Sequence, residues 1–129
     1  MVASTVLVIE DNLIQREGLA TALRQQGFQV LTAEDGNDAL NRLSNGPVPD
    51  LVLLDMLTPS GEADGWWFLQ QRKRIRVLAS VPVIITTAIP VAGREWAASL
   101  DASGLVRKPF EVEPLLAEIS RCLGGTERN

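Results

Sequence analysis

Short runs of consecutive apolar residues alternate along the chain with stretches whose apolar positions recur every three to four residues. The runs are TVLVIE (Thr5–Glu10), FQVLTA (Phe28–Ala33), LVLL (Leu51–Leu54), VPVIIT (Val81–Thr86) and GLVR (Gly104–Arg107). Rich in β-branched residues and of strand length, they predict strands covered on both faces. The stretches between them read as helices. Asp11 and Asn12 are N-cap types, Leu19, Ala22 and Leu23 share a helical face, and Gly27 is a stop signal. Asp35-Gly36 marks a turn, and a short helix over Asn37–Leu43 ends at Asn45-Gly46-Pro47. A polar loop is predicted from Thr58 to Gly65, a helix from about Gly65 to Arg76, and a short helix over Gly93–Leu100. Leu115, Leu116, Ile119, Cys122 and Leu123 form the apolar stripe of a last helix, with Pro114 in its first turn, where a missing N–H costs least.

Five strands alternating with five helices predict an α/β fold, (βα)5, with a doubly wound parallel sheet. Right-handed crossovers leave only a few strand orders. The expected organisation is one domain over residues 1–129, with its core at about 4–123 and a frayed polar tail at 124–129.

Composition narrows the chemistry. The 129 residues are 46% apolar and 22% charged, enough to bury a core without staples. With no His, a His-based triad, a His metal site and a phosphohistidine are excluded; with one Cys, so are an internal disulfide and a zinc thiolate cluster. A net charge of −4 argues against direct nucleic-acid binding or attraction to an anionic membrane. No apolar run approaches the roughly 20 residues that span a bilayer. The start, MVASTVLVIED, has neither a basic n-region nor a long apolar h-region, so the expected location is the cytoplasm.

In open parallel sheets, ligands bind beyond the carboxyl ends of the strands. The first strand delivers Glu10 and Asp11 there, the third Asp55, the fourth Thr86 and Thr87, and the fifth Lys108, followed by Pro109. In the order 2-1-3-4-5, strands one and three are neighbours, so the three carboxylates converge. Crowded carboxylates repel and raise one another's pKa. A hard divalent cation relieves that repulsion, and Mg²⁺ suits a site of few carboxylates and retained waters.

Four segments in this order, VLVIEDN, DLVLLDM, PVIITTA and RKPF, resemble the receiver domain of bacterial response regulators over essentially the whole chain. The resemblance implies a flavodoxin-like order, 2-1-3-4-5. It also implies Mg²⁺ as cofactor and transfer of a phosphoryl group from a histidine kinase or histidine phosphotransfer protein. Asp55 would be the phosphoacceptor. Asp11 would ligate Mg²⁺ directly, Glu10 through water, and the Leu57 carbonyl would be a further ligand beside Asp55. Thr87, with Ala88 next to it, would bind the phosphoryl group. Lys108 would pair with Asp55 and then with the phosphoryl group, across a cis bond to Pro109. The phosphorylated form would act on a downstream protein or a second copy through the face of the fourth helix, fifth strand and fifth helix.

The chain departs from that pattern in three places. PSGEADG lengthens the loop after the phosphoacceptor by two residues. Leu105 stands where an aromatic usually reports the threonine shift, which puts aromatic switching in doubt. Leu57 and Ile89, two residues after Asp55 and Thr87, are apolar where an attacking water would pass, which predicts slow autodephosphorylation rather than turnover as an enzyme. Two rivals remain: a phosphorylation-independent interaction module, and an aspartyl-phosphate phosphohydrolase, which would need an acid/base aspartate where Leu57 stands.

Other features read as structural. Cys122 falls on the apolar stripe and is expected in the core. Adjacent Trp66 and Trp67 cannot both face one core, so one is expected inside and the other partly exposed. Trp67, Trp96 and Leu105 are the candidate interface residues. Arg72, Lys73, Arg74 and Arg76 read as a solvated helix end that complements the dipole.

Overall fold

The computed structural model describes residues 3–56, 61–88 and 93–124. Five strands form one sheet in the order β2-β1-β3-β4-β5: β1 (Thr5–Ile9), β2 (Gln29–Ala33), β3 (Leu51–Asp55), β4 (Val83–Thr87) and β5 (Gly104–Arg107). All four pairings are parallel, with Val8 opposite both Thr32 and Leu53, Asp55 opposite Thr86, and Thr87 opposite Arg107. The central β3 and β4 are buried along their whole length, as continuous apolar runs require when both sheet faces are covered.

Period-two alternation divides the core. Leu7, Ile9, Val52, Leu54, Val83 and Ile85 face one layer, where Ala39, Leu43, Phe68, Leu69 and Ala97 pack. Val6, Val8, Leu51, Leu53, Ile84 and Val106 face the other, against Leu23, Leu115 and Ile119. The first layer holds α2 (Gly36–Ser44), α3 (Gly61–Lys73) and α5 (Arg94–Ser99); the second holds α1 (Leu13–Gln25) and α6 (Val112–Cys122). Each large aliphatic side chain buried this way contributes about 1.5–3 kcal/mol.

The caps follow the sequence signals. The Asn12 side chain accepts a hydrogen bond from Gln15 N at 2.9 Å, and that of Asp35 from Asp38 N at 2.7 Å. At the end of α1, Gly27 has φ +96°. Its N–H donates to Arg24 O, and that of Phe28 to Leu23 O, the paired bonds of a Schellman ending.

Four expectations are corrected. First, α3 begins at Gly61, inside the segment predicted to be loop, and stops at Lys73; a separate turn, α4 (Arg76–Ala79), follows. The predicted 4-5-5 face is therefore the face of α5, β5 and α6. Second, Trp66 and Trp67 are both exposed, at 51% and 38%. The buried stripe of α3 is Gly65, Phe68, Leu69 and Arg72, so both tryptophans fall outside it. Third, Arg72 is buried rather than solvated. It donates to Val81 O at 2.8 Å, its Nε has no hydrogen-bond partner among the described residues, and burial lowers its pKa. Fourth, Cys122 is half-buried at the margin of the second layer, beside Leu123, rather than inside it. Among the described residues, no helix is long and apolar enough to cross a membrane.

Candidate functional site

Parallel strands place all their carboxyl ends on one edge, and alternation decides which face each side chain takes there. Glu10 continues the series Val6, Val8; Asp55 continues Leu51, Leu53; Lys108 continues Val106. These three side chains therefore rise on the α1–α6 side of the sheet. Glu10 and Asp55 are buried, at 4% and 6% exposure, although both are carboxylates. Lys108 offsets the cost. Its Nζ lies 3.0 Å from Glu10 Oε1 and 3.3 Å from Asp55 Oδ2.

Asp11, one residue further along, is exposed. Glu10, Asp11 and Asp55 each present an oxygen within 4.8 Å of the others. Three carboxylates thus face one ammonium. Partial burial, followed by the hydrogen bond and charge of Glu10, pushes the Asp11 carboxyl up from its ordinary value. The open pocket they line has a volume of about 490 Å³ and is completed by Asn12, Gln15, Ala88 and Lys108. This donor set, all oxygen, crowded and short of positive charge, fits a hard divalent cation such as Mg²⁺.

Local bonds fix the pieces. Asn12 N donates to Glu10 Oε2 at 3.2 Å, and Arg16 Nη1 to the Glu10 carbonyl at 2.8 Å, which ties the start of α1 to the end of β1. Thr87 is fully buried at the end of β4, and its carbonyl accepts from Lys108 N at 2.7 Å. The Lys108–Pro109 bond is cis. Leu57 and Ile89 lie outside the described residues. Of the proposed interface residues, Trp96 and Leu105 are partly buried against the first layer, and Trp67 is exposed.

Sequence reading missed two residues of this pocket: Asn12, read only as a helix cap, and Gln15. Gln15 Oε1 accepts from Lys108 Nζ at 2.9 Å, the shortest of that lysine's three contacts. Asp11 precedes the helix, which starts at Leu13, so no i, i+4 relation links it to Gln15 and no local signal points to that residue. Beyond it, between α1 and the segment after β5, an apolar groove of about 510 Å³ is lined by Leu19, Ala22, Thr86, Phe110 and Val112, with Gln15 and Lys108 at its rim.

Comparison with known proteins meets this geometry. Residues 6–120 match the response regulator receiver domain family. The phosphate regulon transcriptional regulatory protein PhoB of Escherichia coli (strain K12) is 37% identical over 118 residues, which cover 91% of this chain and 50% of PhoB. Protein PilH of Pseudomonas aeruginosa is 31% identical over 121 residues, covering 93% of this chain and 98% of PilH. The receiver domain of a sensor histidine kinase from Pseudomonas aeruginosa PAO1, crystallised with a magnesium ion in its active-site cleft, superposes with a TM-score of 0.82 at 25% identity, covering 95% of this chain and 99% of that one. The chain spans about half the length of the first curated relatives it matches, PhoB among them. With a five-stranded 2-1-3-4-5 sheet, the acidic cluster at its carboxyl edge and a family match over most of its length, the chain belongs to the response regulator receiver domains, the signalling domains of two-component systems.

Proposed function

We propose that this protein is a phosphorylation-controlled switch that takes a phosphoryl group onto Asp55 from a phosphohistidine of a histidine kinase or phosphotransfer protein in the cytoplasm. The observation that carries this reading is the buried Asp55 carboxylate, held between two further acids and the Lys108 ammonium 3.3 Å away. An Asp55 oxygen forms the new P–O bond as the donor's P–N bond breaks, and the electron pair of that bond leaves on the imidazole nitrogen. Charge on the transferring phosphoryl oxygens is the main obstacle. In this reading Lys108 meets it with a compact positive charge, and the Thr87 hydroxyl, beside Ala88, meets it with a hydrogen bond. Asp11 and Asp55, with Glu10 through water, would hold Mg²⁺, which would supply further neutralisation.

Phosphorylation adds about 1.5–2 negative charges at Asp55. Thr87 and Lys108 then bind the modified state better than the unmodified one, which is the differential affinity a population shift needs. The shift reaches a downstream protein or a second copy through α5, β5 and α6, where Trp96 and Leu105 sit. Leu105, in place of an aromatic, favours a second reading, in which this face acts as an interaction module whatever the state of Asp55.

Incubation with a small phosphodonor and Mg²⁺, followed by intact-mass measurement, separates these readings. The switch requires one phosphoryl group per chain that disappears in Asp55→Asn and without Mg²⁺. No labelling of the wild type would leave the interaction module, and continuous phosphate release would indicate a hydrolase.

A further inference from the structure

An ammonium has three N–H donors, and Lys108 has three acceptors around it. They are Gln15 Oε1 at 2.9 Å, Glu10 Oε1 at 3.0 Å and Asp55 Oδ2 at 3.3 Å. A phosphoryl group on Asp55 takes over that carboxylate's place on the ammonium, and Gln15 and Glu10 are the two acceptors it must then compete with. Gln15 stands apart from the other two because it is neutral and exposed, and it comes from a helix instead of a strand end. Gln15 and Glu10 border both cavities, whereas Asp55 borders only the acidic pocket. The Gln15 amide oxygen holds the ammonium at 2.9 Å, against 3.3 Å for Asp55. Gln15 is held in place to do so. Its backbone N–H is capped by the Asn12 side chain, and Arg16, next to it, is bonded to the end of β1.

We propose that Gln15 is a positioning residue that competes with the phosphoryl group for Lys108, so that its acceptor strength sets how readily Asp55 enters and keeps the phosphorylated state. The inference rests on the phosphoacceptor role of Asp55. A neutral acceptor can be outcompeted by a dianionic phosphoryl group while still holding the lysine beforehand; a carboxylate there would hold it harder.

The test uses beryllofluoride, a phosphoryl mimic, with Mg²⁺. Affinity is read by ¹⁹F NMR, and the Lys108 ammonium by its ¹⁵Nζ shift before and after binding. Gln15→Leu, which keeps the bulk and removes the acceptor, should tighten beryllofluoride binding by about fivefold, the scale of one partly solvated hydrogen bond to a charge. Gln15→Glu should weaken binding by a similar factor. In the unbound protein the two variants should move the Lys108 ¹⁵Nζ shift in opposite directions. A purely structural residue would give changes of one sign in both variants, and an anchoring residue would give weaker binding in Gln15→Leu; either result overturns the competition. If wild-type protein takes up neither beryllofluoride nor phosphate, the Asp55 reading fails and this inference falls with it. If the wild type does but the variants match it, only the role of Gln15 fails.

Discussion

Leu57 and Ile89 bear on how long a signal lasts. Hydrolysis of an aspartyl phosphate needs a water in line with the P–O bond, and neither side chain has an atom that can hydrogen-bond one. The phosphorylated wild type should therefore lose phosphate slowly. Replacing Leu57 with Asn, or Ile89 with Glu, should accelerate that loss on the order of tenfold, below the roughly hundredfold minimum of full acid–base catalysis because such a group orients water without moving its proton. Phosphate release from purified phosphoprotein in Mg²⁺ measures it, and equal rates in wild type and variants would remove the two positions from the account.

At the scale of elements, α3 shows how closely helix and sheet are fitted. Gly65 faces the buried Met56, and a Cβ built on it would lie 2.2 Å from Met56 Sδ. Alanine is the better helix former by about 1 kcal/mol, but it would have to displace a packed side chain at about 1–3 kcal/mol. Gly65→Ala should thus destabilise the protein, and in a Met56→Ala background the same change should become neutral or stabilising. Chemical denaturation of the four proteins tests this; additive effects would show that the contact does not matter. The far end of α3 is tied down as well. Lys73 pairs with Asp101, lowering that carboxyl's pKa chiefly through its hydrogen bond, and Arg72 grips the Val81 carbonyl in the segment before β4. On the opposite layer, Glu118 of α6 accepts from Leu105 N at 3.0 Å and pairs with Arg121, which donates to Ser103 O. These bonds satisfy one backbone group of β5 and one just before it, on an edge strand that would otherwise present them to a passing chain.

For the whole molecule, site and stability are linked through Lys108. It joins Glu10 after β1 to Asp55 at the end of β3, from its place after β5, so three segments distant in sequence share one ammonium. Lys108→Met leaves two buried carboxylates and Asp11 without that charge. Unfolding without divalent cation should show a loss of about 1–3 kcal/mol, below the full cost of breaking a buried pair because the lysine is partly solvated. Mg²⁺ should then stabilise the variant more than the wild type, since ligand binding to the folded state raises stability with affinity. An equal Mg²⁺ effect on both proteins would mean that cation and ammonium do not act on the same charge.

Local signals were enough for the alternation of strand and helix, the cap at Asn12, the turn at Asp35, the stop at Gly27 and the strand-end positions of Glu10, Asp55, Thr87 and Lys108, because each rests on local periodicity or a turn residue. Sequence reading failed where a local signal pointed one way and packing another. Polar, Gly-containing residues before Gly65 join a helix, two large tryptophans stay outside because four neighbours fill the buried stripe, and Arg72 is drawn into the core by a carbonyl nine residues away. That Gln15, an ordinary polar residue on an exposed helical turn, shares Lys108 with two buried carboxylates follows from packing alone. That contact spans 93 residues of chain, and no periodicity within one helix encodes a distance between separate segments.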